Sequence, residues 1–86
     1  MTKNVPATYL HCSMHGSYFI DCEVVERDVK FSTKLHGSDF EQVWFAVYGK
    51  PAQREGLTGH IIKYLHPFTD DYEVEWVRAD RVTFDG

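Results

Sequence analysis

What is scarce in this 86-residue chain narrows its class before any motif is read. No apolar run approaches the roughly 20 residues of a membrane span, and the first twenty residues interleave Lys3, Asn4, His11 and His15 with short apolar pieces, unlike a secretory leader. Basic residues are outnumbered, nine Lys and Arg against thirteen Asp and Glu, so the positive stripe of a general nucleic-acid binder is missing. Only Lys50, Arg54, His60 and Lys63 form a loose basic set. There is no nucleophile elbow, Walker loop, dinucleotide-binding glycine motif or zinc-protease helix. These absences set the expectation of a cytoplasmic, cofactor-free protein that is not an enzyme and does not enter a membrane.

Aromatic residues, by contrast, are plentiful. Six Phe, five Tyr and two Trp supply large apolar areas per residue. That offsets the small size of a chain this short, which buries only about 60–65% of its unfolded surface. One domain over residues 1–86 is expected, with residues 1–6 as a mobile terminus.

The formal charge of −4 is unevenly spread. Residues 1–35 hold four Lys/Arg and four Asp/Glu, residues 36–69 three of each, and residues 70–86 two against six. The excess therefore lies entirely in the last stretch, where residues 59–66 and 71–77 read as two arms of an antiparallel hairpin around Pro67 and Asp70. In the second arm Tyr72, Val74 and Trp76 alternate with Asp71, Glu73 and Glu75. Strand alternation predicts an aromatic buried face and an exposed acidic one. Residues 81–84 are expected to return against this arm with Val82 and Phe84 inward.

Residues 8–13 and 17–25 predict another hairpin, with Met14, His15 and Gly16 as a three-residue loop. That register opposes Cys12 to Tyr18 and Leu10 to Ile20, and places Leu10, Cys12, Tyr18, Ile20 and Cys22 on one face. It bears on the cluster His11, Cys12, His15 and Cys22, which has the close spacing of a metal knuckle. Adjacent strand residues point to opposite faces, and Cys12 and Cys22 lie about 13 Å apart along such a sheet. Two buried free thiols are expected, with neither metal nor disulfide.

Residues 29–35 alternate as a strand. Residues 38–48 support two readings. Ser38 and Glu41 form a capping box, Phe40, Val43, Trp44 and Val47 share a helical face, and Gly49 with Pro51 would end a helix. The β-prone string from Val43 to Tyr48 favours a strand instead, because a helix leaves Phe45 towards solvent. Residues 49–58 read as a loop. The fold class is thus mainly β, a small antiparallel barrel or curled sheet, with an α+β arrangement carrying one helix at 38–48 as the alternative.

Gly59, Ile61, Ile62 and Tyr64 followed by Tyr72, Val74 and Trp76 resemble the central hairpin of SH3-like small barrels, the class that includes KOW and Tudor modules. The resemblance covers about a third of the chain, implies an SH3-like C-terminal half, and carries over no functional residue.

Among functions, a non-catalytic binding module is favoured, one that inhibits or modulates a larger protein with a basic surface. Asp70, Asp71, Glu73, Glu75 and Asp80 would be its docking residues, with Tyr64 or Trp44 as apolar anchors. Its length, acidity and lack of a catalytic motif would suit a small inhibitor of the kind encoded by phages and other mobile elements. The alternatives are an SH3-like nucleic-acid or ribonucleoprotein module using Lys50, Arg54, His60 and Lys63, and a small metal-independent nuclease pairing His60 or His66 with Glu41 or Glu55.

Overall fold

The computed structural model describes residues 4–85. Five antiparallel strands form one sheet: β1 (Val5–Ser13), β2 (Gly16–Lys30), β3 (Thr58–Leu65), β4 (Tyr72–Arg78) and β5 (Val82–Phe84), in the order β4-β3-β2-β1-β5. Between β2 and β3 the chain makes α1 (Thr33–His36) and α2 (Asp39–Tyr48), and a single 3₁₀ turn, Ala79–Arg81, leads from β4 to β5.

Alternation along the strands gives the sheet one apolar side. Ala7 and Tyr9 of β1, Cys22 and Val24 of β2, Ile62 and Tyr64 of β3 and Val77 of β4 form the core, with Val5, Ile20, Val82 and Phe84 packed against it. The sheet curls around this side. His60 of β3 reaches to 5.4 Å from the Phe84 ring of β5, although these strands are not neighbours. β4 and β5 do not pair, so the sheet stays open and no barrel closes. Irregularity in the long β2 supplies part of the bend: its register with β3 shifts twice between Val24 and Val29, and Asp28 within that stretch has φ 56°. Bulged strands coil more sharply than regular ones.

Several expectations are corrected. Residues 1–3 of the expected mobile terminus lie outside the described residues, and Val5 and Pro6 already belong to β1. The first hairpin turns through two residues, Met14 and His15, and pairs Ser13 with Gly16, Cys12 with Ser17 and Tyr9 with Ile20. This differs by one residue from the expected register, and a one-residue slip moves a strand's whole set of side chains to the other face. Tyr9 and His11 therefore join Tyr18, Ile20 and Cys22, while Cys12 is exposed and only Cys22 is buried. β5 pairs with β1, not with β4, and still turns Val82 and Phe84 inward.

The predicted strand over 29–35 ends at Lys30, and the segment 38–48 is a helix. Its ends decide the matter locally. Ser38 accepts from the Glu41 amide, Glu41 accepts from the Ser38 amide, and Gly49 closes the helix at φ 68°. Four orphan amides at the start of a helix favour such reciprocal capping, and this outweighs the β-propensity of single residues.

A smaller cluster lies on the convex side and ties the helical excursion to the sheet. Trp76 donates its indole N–H to the Val29 carbonyl at 2.8 Å and meets Phe31 edge-on at 4.8 Å between centroids. Arg54 lies over the Phe31 ring at 4.3 Å and pairs with Glu41. The fully buried Thr33 donates its amide and hydroxyl to Glu55 at 2.9 and 2.6 Å and accepts the Ala52 amide at 3.0 Å.

Candidate functional site

Strand β4 is one edge of the sheet and pairs only with β3. Directly opposed residues share a face, and the pairs are Tyr64 with Glu73, Ile62 with Glu75 and His60 with Val77. Glu73 and Glu75 thus stand on the core side of the sheet, at its rim. The Tyr64 hydroxyl donates to Glu75 at 3.2 Å. Burial, then the Glu75 carboxylate, raise the Tyr64 phenol well above its ordinary range, and the same two causes push Tyr9 up to about 12. Both phenols remain neutral at physiological pH.

The opposite face of β4 overturns the expected burial. Trp76 is 6% exposed, but Tyr72 is 68% and Val74 60% exposed. Only the end of β4 beside the Phe31 cluster is covered. The strand therefore offers an unpaired backbone edge with carboxylates on one side and open apolar surface on the other. Among the described residues, no Lys or Arg lies within ion-pair distance of Asp70, Asp71, Glu73 or Glu75.

The remaining predicted residues are dispersed. Asp70, at φ 62°, belongs to the turn before β4, where the His66 amide donates to the Asp71 carbonyl at 2.9 Å. Asp80 sits beyond the other end of β4 and accepts from Arg78 at 3.0 Å, so its charge is already matched. Tyr64 is 4% exposed and belongs to the core, which removes it as an anchor for a partner. Trp44 is exposed on α2, outside the sheet.

The basic set does not assemble into a patch. His60 is buried, Arg54 is committed to Glu41 and Phe31, and Lys63 lies over the Tyr72 ring at 4.9 Å on the convex face. Nor do the histidines meet the named carboxylates: His60 accepts the Asp28 amide, Glu41 caps α2, and Glu55 is held by Thr33. His11 and Cys12 point to opposite faces of β1, and among the described residues no three or more His, Cys, Asp or Glu side chains converge as a metal set. No helix of the described residues is long and apolar enough to cross a membrane.

A further cluster involves residues outside the predicted site. At the open end of the core side, Tyr9, His11, Tyr18, Tyr64, His66 and Phe68 form a chain of rings with centroids 5.2 to 6.4 Å apart. His11 Nδ1 and the Tyr18 hydroxyl are buried there without a hydrogen-bond partner among the described residues. The signal was the alternation of Tyr9 and His11, visible only once the hairpin register is right. No family model matches the chain, and neither a curated protein nor a solved structure does.

Proposed function

We infer that the chain is a non-catalytic binding module that modulates a larger protein by receiving an extended, basic segment of it along the edge of β4. The observation that carries this reading is the two-sided edge: unmatched Asp71, Glu73 and Glu75 on one side, and exposed Tyr72 and Val74 on the other. A strand added to a sheet edge gains main-chain hydrogen bonds, and its alternate side chains meet the two faces separately. The complementary segment alternates Lys or Arg with apolar residues. Opposite charges steer its approach, and the main-chain ladder fixes its register. The fold itself reads as SH3-like; support comes from five antiparallel strands curled around one core and from the β3–β4 hairpin that carries the sequence resemblance.

The test uses a synthetic peptide of alternating lysine and valine beside a scrambled control of the same composition. Binding should slow amide exchange in β4 and weaken as salt rises. Equal binding of the scrambled peptide, or protection confined to strands other than β4, would reject the edge as the site.

A further inference from the structure

Helix α2 is amphipathic but turns its apolar side away from the molecule. Phe40, Val43, Trp44, Val47 and Tyr48 recur at the spacing that lines one helical face. They are 72%, 62%, 43%, 65% and 59% exposed, and α2 has no buried residue. The side towards the body is served by Phe45, half-buried, and by Glu41, held by Arg54. The outward rings stack along the helix, Phe40 to Trp44 at 5.8 Å and Trp44 to Tyr48 at 4.4 Å. Together these five side chains present roughly 600 Å² of apolar surface, the upper end of what a monomer shows in one patch.

We propose that this face is a homodimer interface in which two copies pack their α2 helices antiparallel about a twofold axis. The charges at its ends point to a second copy. Asp39 opens the first turn with its charge unmatched, Glu41 being paired with Arg54; the last turn carries no basic residue, and Lys50 follows the C-cap Gly49. Antiparallel packing sets the acidic start of one helix against the Lys50 end of the other and opposes the two helix dipoles. Parallel packing would bring Asp39 onto Asp39 and Lys50 onto Lys50. A twofold axis uses every such contact twice, and Val43 and Trp44, at mid-helix, lie beside it.

The size of the surface agrees. With Lys50, Pro51 and Ala52 at its border, the face approaches the about 800 Å² per partner of a standard interface. The groove lined by Phe40, Trp44, Pro51 and Ala52, with Glu41 and Lys50 at its rim, is about 180 Å³, which admits one side chain from the facing helix. Small-molecule sites run from roughly 300 to 1,000 Å³. This interface is independent of the β4 edge, so either can fail without the other.

The experiment is sedimentation equilibrium of the whole chain from about 1 μM to about 1 mM, a span that brackets a dimer of moderate affinity. Wild type should show reversible monomer–dimer exchange. Val43→Glu should weaken dimerisation roughly 100-fold, as expected for a charge at the centre of an interface, with an unchanged far-ultraviolet circular dichroism spectrum. Asp39→Lys and Lys50→Glu should each weaken it roughly 3- to 30-fold, and an equimolar mixture of the two variants should recover wild-type association as a heterodimer, because both charge pairs are then restored. A chain that stays monomeric to about 1 mM, a dimer indifferent to Val43→Glu, or a mixture no tighter than either variant alone would each overturn the proposal.

Discussion

The backbone amide of Asp28 donates to Nδ1 of His60 at 3.1 Å, joining the irregular stretch of β2 to the ring that touches Phe84 across the curl. Nδ1 must be unprotonated to accept, and His60 is 4% exposed. Burial, reinforced by Arg27 and opposed by Asp28, lowers its pKa from 6.5. Below about pH 6.5 the unfolded chain takes up a proton that the folded site rejects, so this share of stability is present above that pH and declines as pH falls towards the lowered native value. Urea midpoints at several pH values should fall more steeply across this window in wild type than in His60→Gln, whose amide oxygen still accepts from Asp28. Parallel slopes would remove His60 as the origin. Glu41 and Glu55, both lowered from 4.5, act in a separate and more acid window.

Trp76 and Val74, two residues apart on one face, should behave differently. Trp76→Ala removes the Phe31 contact and the bond to Val29 and should cost about 3–5 kcal/mol. Val74→Ala, at an exposed position, should cost less than about 1 kcal/mol. Gly59→Ala should approach the tryptophan's effect, at about 2–4 kcal/mol, because a Cβ there meets the Val77 carbonyl and the Trp76 indole. Chemical denaturation of the three variants checks the ranking.

The two thiols should separate kinetically. Cys12 is exposed, with Arg81 donating to its sulfur at 2.7 Å, whereas burial pushes the Cys22 thiol up to about 11. A thiol reagent should modify one cysteine per chain rapidly and the second only in denaturant, with peptide mapping locating the fast site at Cys12. Equal rates would contradict the observed register of β1 and β2.

Charge reversal along β4 should discriminate between neighbours. Glu73→Lys should change stability by less than about 0.5 kcal/mol, whereas Glu75→Lys also removes the acceptor of the buried Tyr64 hydroxyl and should cost about 1–3 kcal/mol. Both should slow association of the lysine–valine peptide at low salt, an effect that shrinks as ionic strength rises. Association rates indifferent to both reversals would remove these carboxylates from the approach of the partner.

The β3–β4 hairpin was legible because Pro67 and Asp70 mark its turn and its arms are β-prone throughout; the strands fall within a residue or two of the expected arms. Which face of β4 is buried was not legible. Tyr72, Val74 and Trp76 carry the apolar signal, yet the inward face is set by pairing with Ile62 and Tyr64, which brings Glu73 and Glu75 to the core side. The first hairpin failed on one residue of loop length, enough to exchange Cys12 for His11. In α2 the capping residues gave the helix, while the outward position of Phe40, Val43 and Trp44 depends on where the rest of the chain lies and leaves no local trace. The residues offered as one acidic and aromatic site divide accordingly between the β4 edge, the core and the helix.

Lys30 of β2 pairs with Thr58 of β3, so residues 31–57 leave the sheet and rejoin it at a single rung. An excursion rooted in that way can lengthen or shorten without altering the strands on either side, since closing a loop of twice the length costs only about 0.6 kcal/mol more. The fixed points are Phe31, Thr33, Arg54 and Glu55, near its two roots; the outward residues of α2 between them are under no obligation to the core. Substitutions on the helix face can therefore suit a new neighbour while the strands, with the edge of β4, keep their pairing.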